Sequence, residues 1–328
     1  MKIRQKATLN LYRKNIHMAE DSNKSQCLIE TPQHLRVCVS GGSRPGNDPL
    51  YQEEVYKMGV KIAKMGFRLD YGFSNSGIMG AVARGVIETW ESKKEKYYGD
   101  VSPIVGVTTQ EYFELYEKDE LLQKISDIVL TDTLENRKNK LFEADIIVFA
   151  PGGVGTLDEL AYDCVAMQDG FIQIKPFIIY NINGFFYHIL EYLKELSARK
   201  FADPIPFIVV DDSEELEIAF RLLKLRYNRC NTTKEAYAYA RQLAYELPYF
   251  IKKKVDSSVH VEDIISEMQN ICNHGTKEEQ DELSNEIEKA YLEKEIERMY
   301  ERLAKTGRDT SVVSDKLTKL KNRKKGTK

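Results

Sequence analysis

The sequence has few cysteines, and their spacing indicates neither a covalent scaffold nor a metal site. Its 328 residues include five cysteines, an odd number, with no C-x-x-C pair and no histidine at metal-ligand spacing. A disulfide framework and a structural zinc site are therefore not expected. A reducing compartment fits this composition.

Long apolar runs are also missing. Runs such as Ile146–Ala150 and Phe177–Tyr180 are far shorter than the roughly 20 residues that a membrane-spanning helix needs. The basic N-terminus is not followed by a continuous apolar segment, so it does not read as a signal peptide. The sequence predicts a soluble, cytoplasmic protein without a membrane partner.

The chain has no excess of either charge. Lys and Arg number 48 against 51 Asp and Glu, and the net charge of -3 does not indicate a nucleic-acid partner. A basic tail from Lys316 onward leaves contact with nucleic acid or an acidic partner open. Charge runs at termini are usually only solvated, so nucleic-acid binding is not expected.

What the sequence does contain is an alternation of short β-branched runs and longer helical patterns from Arg36 onward. This alternation is typical of βαβ units and predicts an α/β fold with a Rossmann-like, doubly wound parallel sheet. The predicted strands are 36–40, 67–71, 103–107, 126–130, 145–149, 176–180 and 206–210, with helices near 49–65, 78–92, 133–143, 156–168 and 184–198.

The length and the change of pattern predict three regions. Residues 1–34 show no sustained period and are expected to form an N-terminal extension, and residues 35–225 form the Rossmann-like nucleotide-binding domain. Residues 226–328 form a helical, charged extension with a basic tail. Within it, Thr232–Glu235 predicts a helix start that Pro248 ends, and an apolar stripe predicts a second helix over 277–305.

The most informative motif is the string Pro151-Gly152-Gly153-Val154-Gly155-Thr156, followed by Glu159. It comes directly after a buried strand and opens a helix, where glycines and free N–H groups can cradle a phosphate. Thr156 is placed to cap that helix or to donate to a phosphate oxygen, and Glu159 lies one turn further on the same face. A plain capping box between Thr156 and Glu159 is the alternative.

Arg137 and Lys138 lie on the helix that leads into the strand at Asp145. Such a pair is usually solvated surface. Near a phosphate loop at the carboxyl edge of a parallel sheet, however, the guanidinium becomes a candidate anion clamp.

Two further glycine loops follow the first two predicted strands. In an open α/β sheet, loops at the carboxyl ends of strands line the ligand crevice, although each could also be only a tight turn. Their candidate substrate-binding residues are Gly42, Ser43, Gly77, Met79 and Gly80.

Four motifs in this order, Ser40–Gly46, Tyr71–Gly80, Glu135–Lys138 and Pro151–Glu159, make the chain resemble the LOG (Lonely Guy) family. These are cytokinin riboside 5'-monophosphate phosphoribohydrolases, often mislabelled as lysine decarboxylases. The resemblance covers roughly 36–225. The chain departs from the family where Phe73 and Ser74 replace two glycines, and where Leu134-Glu135 replaces Met-His.

The resemblance implies hydrolysis of the N-glycosidic bond of a nucleoside 5'-monophosphate by a homodimer, without a metal or redox cofactor. Carried over residue by residue, it makes Arg137 and Glu159 the catalytic pair. It makes Gly152, Gly153, Gly155 and Thr156 the phosphate loop, with Lys138 beside them as a substrate-binding residue.

Two other functions remain open on the sequence alone. The same fold could serve as a non-catalytic nucleotide- or cofactor-binding carrier or sensor, although binding alone would not need a carboxylate beside the phosphate. A decarboxylase would need pyridoxal phosphate and a Schiff-base lysine, which no motif identifies.

Overall fold

A computed structural model describes residues 34–97, 101–116, 119–225, 230–256 and 260–322. The chain divides into two compact units, Pro32–Leu243 and the residues from Ala244 onward. Residues 1–33 of the predicted N-terminal extension, and residues 323–328 of the basic tail, lie outside the described residues.

The first unit is built on a seven-stranded sheet in which all pairings are parallel, in the order β4-β3-β2-β1-β5-β6-β7. All seven predicted strands are confirmed, with ends that differ by two residues at most. The strands are β1 (Arg36–Ser40), β2 (Arg68–Tyr71), β3 (Ile104–Thr109), β4 (Asp127–Thr131), β5 (Ile146–Phe149), β6 (Phe177–Tyr180) and β7 (Phe207–Val210).

Helices connect successive strands, so the predicted doubly wound α/β class is confirmed. The helices of this unit are α1 (Pro49–Lys64), α2 (Gly77–Tyr97), α3 (Gln110–Tyr116), α4 (Leu134–Phe142), α5 (Val154–Gln168), α6 (Tyr187–Ala198), α7 (Ser213–Leu225) and the start of α8 (Thr233–Asp256). The sequence analysis missed α3 and α7. With seven residues, α3 is too short to show a helical period.

Apolar side chains on both faces of the sheet form the core, as expected for strands covered by helices on either side. One cluster joins residues of β1, β3, β5 and β6 to α4, α5 and α6, with Phe149 and Phe177 in edge-to-face contact at 5.3 Å. The helices α1, α2 and α7 pack on one another and contact β1, β2, β3 and β7. The carboxyl ends of the strands, which carry the candidate residues, are thereby held on a rigid base.

The described residues from 260 onward form only helices: α9 (Val261–His274), α10 (Lys277–Lys305) and α11 (Ser311–Asn322). The predicted helix over 277–305 is confirmed. It begins with a capping box between Thr276 and Glu279 and buries Leu283, Ile287 and Ala290. None of the described helices combines the length and apolar character that a membrane crossing requires.

The prediction that Pro248 ends a helix is wrong, because α8 continues to Asp256. An interior proline lacks an N–H donor and costs about 3 kcal/mol. Leu247, Tyr249 and Phe250 beside it are 4% exposed or less, and each buried side chain contributes roughly 1.5–3 kcal/mol. Burial of these neighbours therefore outweighs the break that the proline alone would cause.

The loop after β2 contains a strained residue. Phe73 has φ of 54°, a left-handed conformation that favours glycine. Its ring is 2% exposed and stacks on Phe113 of α3, with centroids 5.8 Å apart. It also lies against Gly106 of β3, where a Cβ atom would be only 2.4 Å from Cδ2 of Phe73. Packing of the ring therefore holds the backbone in a conformation that its own residue type disfavours.

We expect Phe73→Gly to be more stable than Phe73→Ala by about 0.5–1 kcal/mol. Both variants lose the buried ring, but alanine must still adopt the left-handed backbone conformation, which costs roughly 1–2 kcal/mol. Glycine releases this strain, at a smaller cost in unfolded-chain entropy. Urea unfolding of the two variants measures the difference in the free energy of unfolding.

Phe220 provides the matched control, since it is a fully buried phenylalanine inside the regular helix α7. There the order reverses, and Phe220→Gly is less stable than Phe220→Ala by about 1 kcal/mol. The strain argument fails if alanine is also the more stable substitution at position 73.

Candidate active site

The carboxyl ends of β1 and β5 meet at the point where the strand order reverses. From β1 the chain runs through β2 and β3 to β4 on one side, and β5 starts the other side. The Ala150 N–H donates to Ser40 O at 2.8 Å, and the Gly42 N–H donates to Pro151 O at 3.0 Å. This is the topological switch point, where open α/β sheets bind their ligands.

Two glycines permit this close approach of the β1 and β5 loops. A Cβ on Gly152 would lie 2.1 Å from Oγ1 of Thr156 and 2.8 Å from the Gly42 nitrogen. A Cβ on Gly42 would lie 3.0 Å from Cα of Gly152. Both positions therefore need glycine for packing between the two loops.

Gly153 and Gly155 differ from these two, because a Cβ at either position would meet no described atom within 4 Å. Both residues are exposed at the start of α5. Packing of the fold therefore does not require glycine at either position. The open space beside them would let an anion approach the backbone N–H groups.

The helix α5 begins without a side-chain cap. Gly153 is its N-cap, and its carbonyl accepts the first intrahelical bond, from the Leu157 N–H at 3.1 Å. The N–H groups of Val154, Gly155 and Thr156 precede that bond, so the helix provides no acceptor for them. The interpretation of Thr156 as the cap, and with it the capping box to Glu159, is wrong. Thr156 lies inside the first turn and is 4% exposed.

Glu159 lies one turn further along α5, with its carboxylate contacted on both oxygens. Its Oε1 lies 3.5 Å from Nη1 of Arg137, and its Oε2 accepts a short hydrogen bond from the hydroxyl of Ser40. The Arg137 and Glu159 side chains are 14% and 15% exposed. The two residues predicted as the catalytic pair are therefore in contact at the switch point.

Backbone carbonyls at two further strand ends hold Arg137. Its Nε donates to Val107 O at 2.9 Å, and its Nη2 donates to Gly72 O at 3.1 Å. A Cβ on Gly72 would lie 2.1 Å from Nη2, so glycine is required for this contact. The guanidinium is thus fixed to β2 and β3 and reaches Glu159 with its remaining nitrogen.

Lys138 lies beside the pair but faces a different acid. Its Nζ donates to Oδ2 of Asp158 at 3.0 Å and lies 4.4 Å from the centre of the Tyr162 ring. The structure therefore places the ammonium at the junction of α4 and α5, paired with Asp158 rather than Glu159.

The second glycine loop packs on the first through backbone contacts. The N–H groups of Ile78 and Met79 donate to Gly42 O at 2.9 and 3.2 Å. Gly77 has φ of 55°, and a Cβ there would overlap the backbone of Arg44. A Cβ on Gly80 would lie 2.0 Å from Asn75 O. Ser43 is exposed beside these contacts, so the structure brings all three predicted loops together.

A second carboxylate, Asp163, lies one turn beyond Glu159 in a very different environment. It is fully buried, and neither of its carboxyl oxygens has a hydrogen-bond partner among the described residues. Burial raises the pKa of Asp163, and the Lys175 ammonium opposes that rise. Burial also raises the pKa of the Cys38 thiol, which the carboxylates of Glu159 and Asp163 raise further.

Ser40, Gly72 and Val107 complete the geometry and were not among the predicted site residues. Gly72 and Val107 contribute carbonyl oxygens, which leave no mark in a side-chain pattern. Ser40 is a polar residue that directly follows the apolar run Val37–Val39, and this was the one available signal. Among the described residues, no group of three or more His, Cys, Asp or Glu side chains could hold a metal ion.

Comparison with known proteins identifies relatives of this part of the chain. Residues 79–217 match the family model described as "Possible lysine decarboxylase". A probable cytokinin riboside 5'-monophosphate phosphoribohydrolase of Oryza sativa subsp. japonica is 26% identical over 170 residues, 52% of this chain and 63% of the relative. A cytokinin riboside 5'-monophosphate phosphoribohydrolase of Arabidopsis thaliana is 27% identical over 171 residues, 52% of this chain and 72% of that protein. The resemblance to the LOG family is confirmed.

Among solved structures, the molybdenum cofactor carrier protein of Chlamydomonas reinhardtii aligns with a TM-score of 0.42 at 18% identity. The alignment covers 58% of this chain and 98% of the carrier protein.

Proposed function

We propose that the chain hydrolyses the N-glycosidic bond of a nucleoside 5'-monophosphate, and the match of residues 79–217 to the family model described as possible lysine decarboxylase supports this. The substrate is AMP or an N6-substituted AMP, and the products are the free base and ribose 5-phosphate. The relatives named as phosphoribohydrolases support this reaction class. The observation that carries the proposal is the contact between Arg137 and Glu159 beside an uncapped helix N-terminus.

The start of α5 is suited to the 5'-phosphate. Three backbone N–H groups without an intrahelical acceptor and the positive end of the helix dipole favour an anion there. Gly153 and Gly155 leave room for phosphate oxygens to approach the backbone. Thr156 and Glu159 lie on one helix face with Cβ atoms roughly 5–6 Å apart, so a phosphate bound at the loop places the ribose near the carboxylate.

Glu159 then faces the bond that breaks. As the C1'–N bond opens, its electron pair leaves with the base and positive charge develops on the ribose, as in glycoside hydrolysis. The carboxylate stabilises this charge and orients the water whose oxygen bonds to C1'. One proton of that water is released, and the departing base takes up a proton to leave in neutral form.

Arg137 holds the reacting parts in place. Two carbonyls fix its guanidinium, so the remaining N–H groups can donate to ribose or phosphate oxygens with little loss of side-chain freedom. Anchoring at both phosphate and ribose aligns C1' with Glu159, which converts binding energy into rate.

We expect the protein to release free base from AMP or N6-substituted AMP, and to act on adenosine at least about 100-fold less efficiently in kcat/KM. The phosphate loop contributes only when a 5'-phosphate is present. Chromatography of the bases released from AMP, GMP, CMP, UMP, IMP, N6-substituted AMP and adenosine measures both points.

Equal turnover of adenosine and AMP would contradict the role of the phosphate loop. Tight binding of AMP without release of base from any of these nucleotides would instead favour a non-catalytic carrier or sensor.

For the catalytic pair, we expect Glu159→Gln to lower kcat by roughly 100-fold or more, with little change in nucleotide affinity. The amide keeps the shape and can still accept a hydrogen bond, but it lacks the charge that the ribosyl cation needs. Arg137→Ala should weaken both binding and turnover, because its contact exists in the ground state as well. Steady-state kinetics and calorimetric AMP binding separate the two effects.

Asp169→Asn is the matched control, since it neutralises an exposed acid at the other end of α5. It should leave kcat and AMP affinity unchanged. Wild-type turnover by folded Glu159→Gln would overturn the catalytic assignment.

The homodimer belongs to the same proposal. On α5, Val154, Leu157 and Val165 are 86%, 47% and 54% exposed, an apolar surface that a second copy would cover. We expect light scattering to give twice the monomer mass of 37.8 kDa, and Val165→Glu to shift it toward the monomer.

Val312→Glu is the control for the dimer experiment. Val312 is an equally apolar residue, 63% exposed in α11, and its replacement should leave the measured mass unchanged. A mass of 37.8 kDa for the wild-type protein at micromolar concentration would exclude the dimer.

A further inference from the structure

Ser40 is the last residue of β1 and the one hydroxyl that contacts Glu159 among the described residues. It is 4% exposed, and its backbone carbonyl accepts from the Ala150 N–H at 2.8 Å. Its register partner on β5 is Phe149. Pairing with β5 therefore fixes the backbone from which the hydroxyl projects. Ser40 also lies outside the segment 79–217 that the family model matches.

The two contacts of the Glu159 carboxylate are unequal. The distance from Oε1 to Nη1 of Arg137 is 3.5 Å, at the limit of a hydrogen bond, and the other Arg137 nitrogens donate to backbone carbonyls. The hydroxyl of Ser40 makes the shorter contact, to Oε2. Toward a carboxylate a serine hydroxyl can only donate, so the contact orients the carboxylate through Oε2.

The neighbouring positions show what the hydroxyl adds. Cys38 lies two residues before Ser40 on the same face of β1, and Asp163 lies four residues after Glu159 on α5. The Cys38 thiol interacts electrostatically with both carboxylates, with Glu159 more than with Asp163, and neither oxygen of Asp163 has a hydrogen-bond partner among the described residues. One turn apart on the same helix, the acid that contacts Ser40 is hydrogen-bonded and Asp163 is not.

We propose that Ser40 is a positioning residue for Glu159, holding its carboxylate oriented toward the reacting ribose carbon. The assignment rests on the proposed hydrolysis. Among the described residues the hydroxyl donates to this carboxylate alone, and it acts on the reaction only through that contact.

The test compares Ser40→Ala with the wild-type protein in AMP hydrolysis. We expect kcat to fall about 10-fold and KM to change less than about twofold. Ser40→Thr keeps the hydroxyl and should restore the wild-type kcat. Ser102→Ala, which removes a hydroxyl that lies before β3 and donates to Ile104 O, should change neither constant.

A second experiment asks whether Ser40 acts through Glu159. In a Glu159→Gln background, Ser40→Ala should reduce kcat no further, because the charge that the hydroxyl orients is gone. A merely structural serine would lower kcat by the same factor in both backgrounds. That result overturns the proposal.

A readout without turnover separates this proposal from the proposed function. In protein labelled with ¹³C at glutamate carboxyls, the resonance missing from Glu159→Gln identifies Glu159. Its chemical shift in Ser40→Ala should differ from that in wild type and in Ser102→Ala, because the carboxylate has lost a hydrogen-bond donor. If no nucleotide is hydrolysed but the resonance moves, the proposed reaction fails and the contact is upheld. An unchanged resonance in folded Ser40→Ala overturns the positioning role. Should Ser40→Ala not fold, Ser40→Cys keeps the size with a weaker donor and should move the resonance in the same direction.

Discussion

The close approach of two backbone loops at the switch point of the sheet is the constraint on which the site depends. Gly42 and Gly152 let the ends of β1 and β5 come within a distance that no other residue type would allow. This contact sets where α5 begins, and therefore where Glu159 lies. The phosphate loop and the catalytic carboxylate are two consequences of one packing requirement.

Arg137 reaches the same point from the opposite half of the sheet. Carbonyls at the ends of β2 and β3 hold its guanidinium, and Gly72 provides the space for it. The strained Phe73 follows Gly72 directly and is anchored by its ring between β3 and α3. The strand order thus brings together an arginine and a glutamate 22 residues apart in the chain. The helices α4 and α5 supply these two side chains, and their packing against the sheet holds them in place.

The sequence predicted the strands well because most are short, buried apolar runs bounded by turn residues, with the partly exposed edge strand β4 as the exception. The pairing of Arg137 with Glu159 came from resemblance to a family, since residue spacing alone does not bring two helices together. The cap at Thr156 was misjudged because a glycine N-cap has no side chain to recognise. Gly72 and Val107 act through carbonyl oxygens, whose direction depends on strand order and cannot be read from residue types. Pro248 shows the same limit for helices, because burial on either side decides whether a proline ends one.

Two carboxylates on one face of α5, Glu159 and Asp163, have different surroundings although they are chemically similar. Glu159 and Asp163 are one turn apart, so neither helix propensity nor sequence spacing distinguishes them. The difference lies in their partners, because Ser40 and Arg137 contact Glu159 while no described residue hydrogen-bonds Asp163. Burial of an unpartnered polar group is costly, and burial raises the pKa of Asp163 even though the Lys175 ammonium opposes that rise. The hydroxyl at the end of β1 thus places the partnered carboxylate at the edge of the sheet, beside the start of α5.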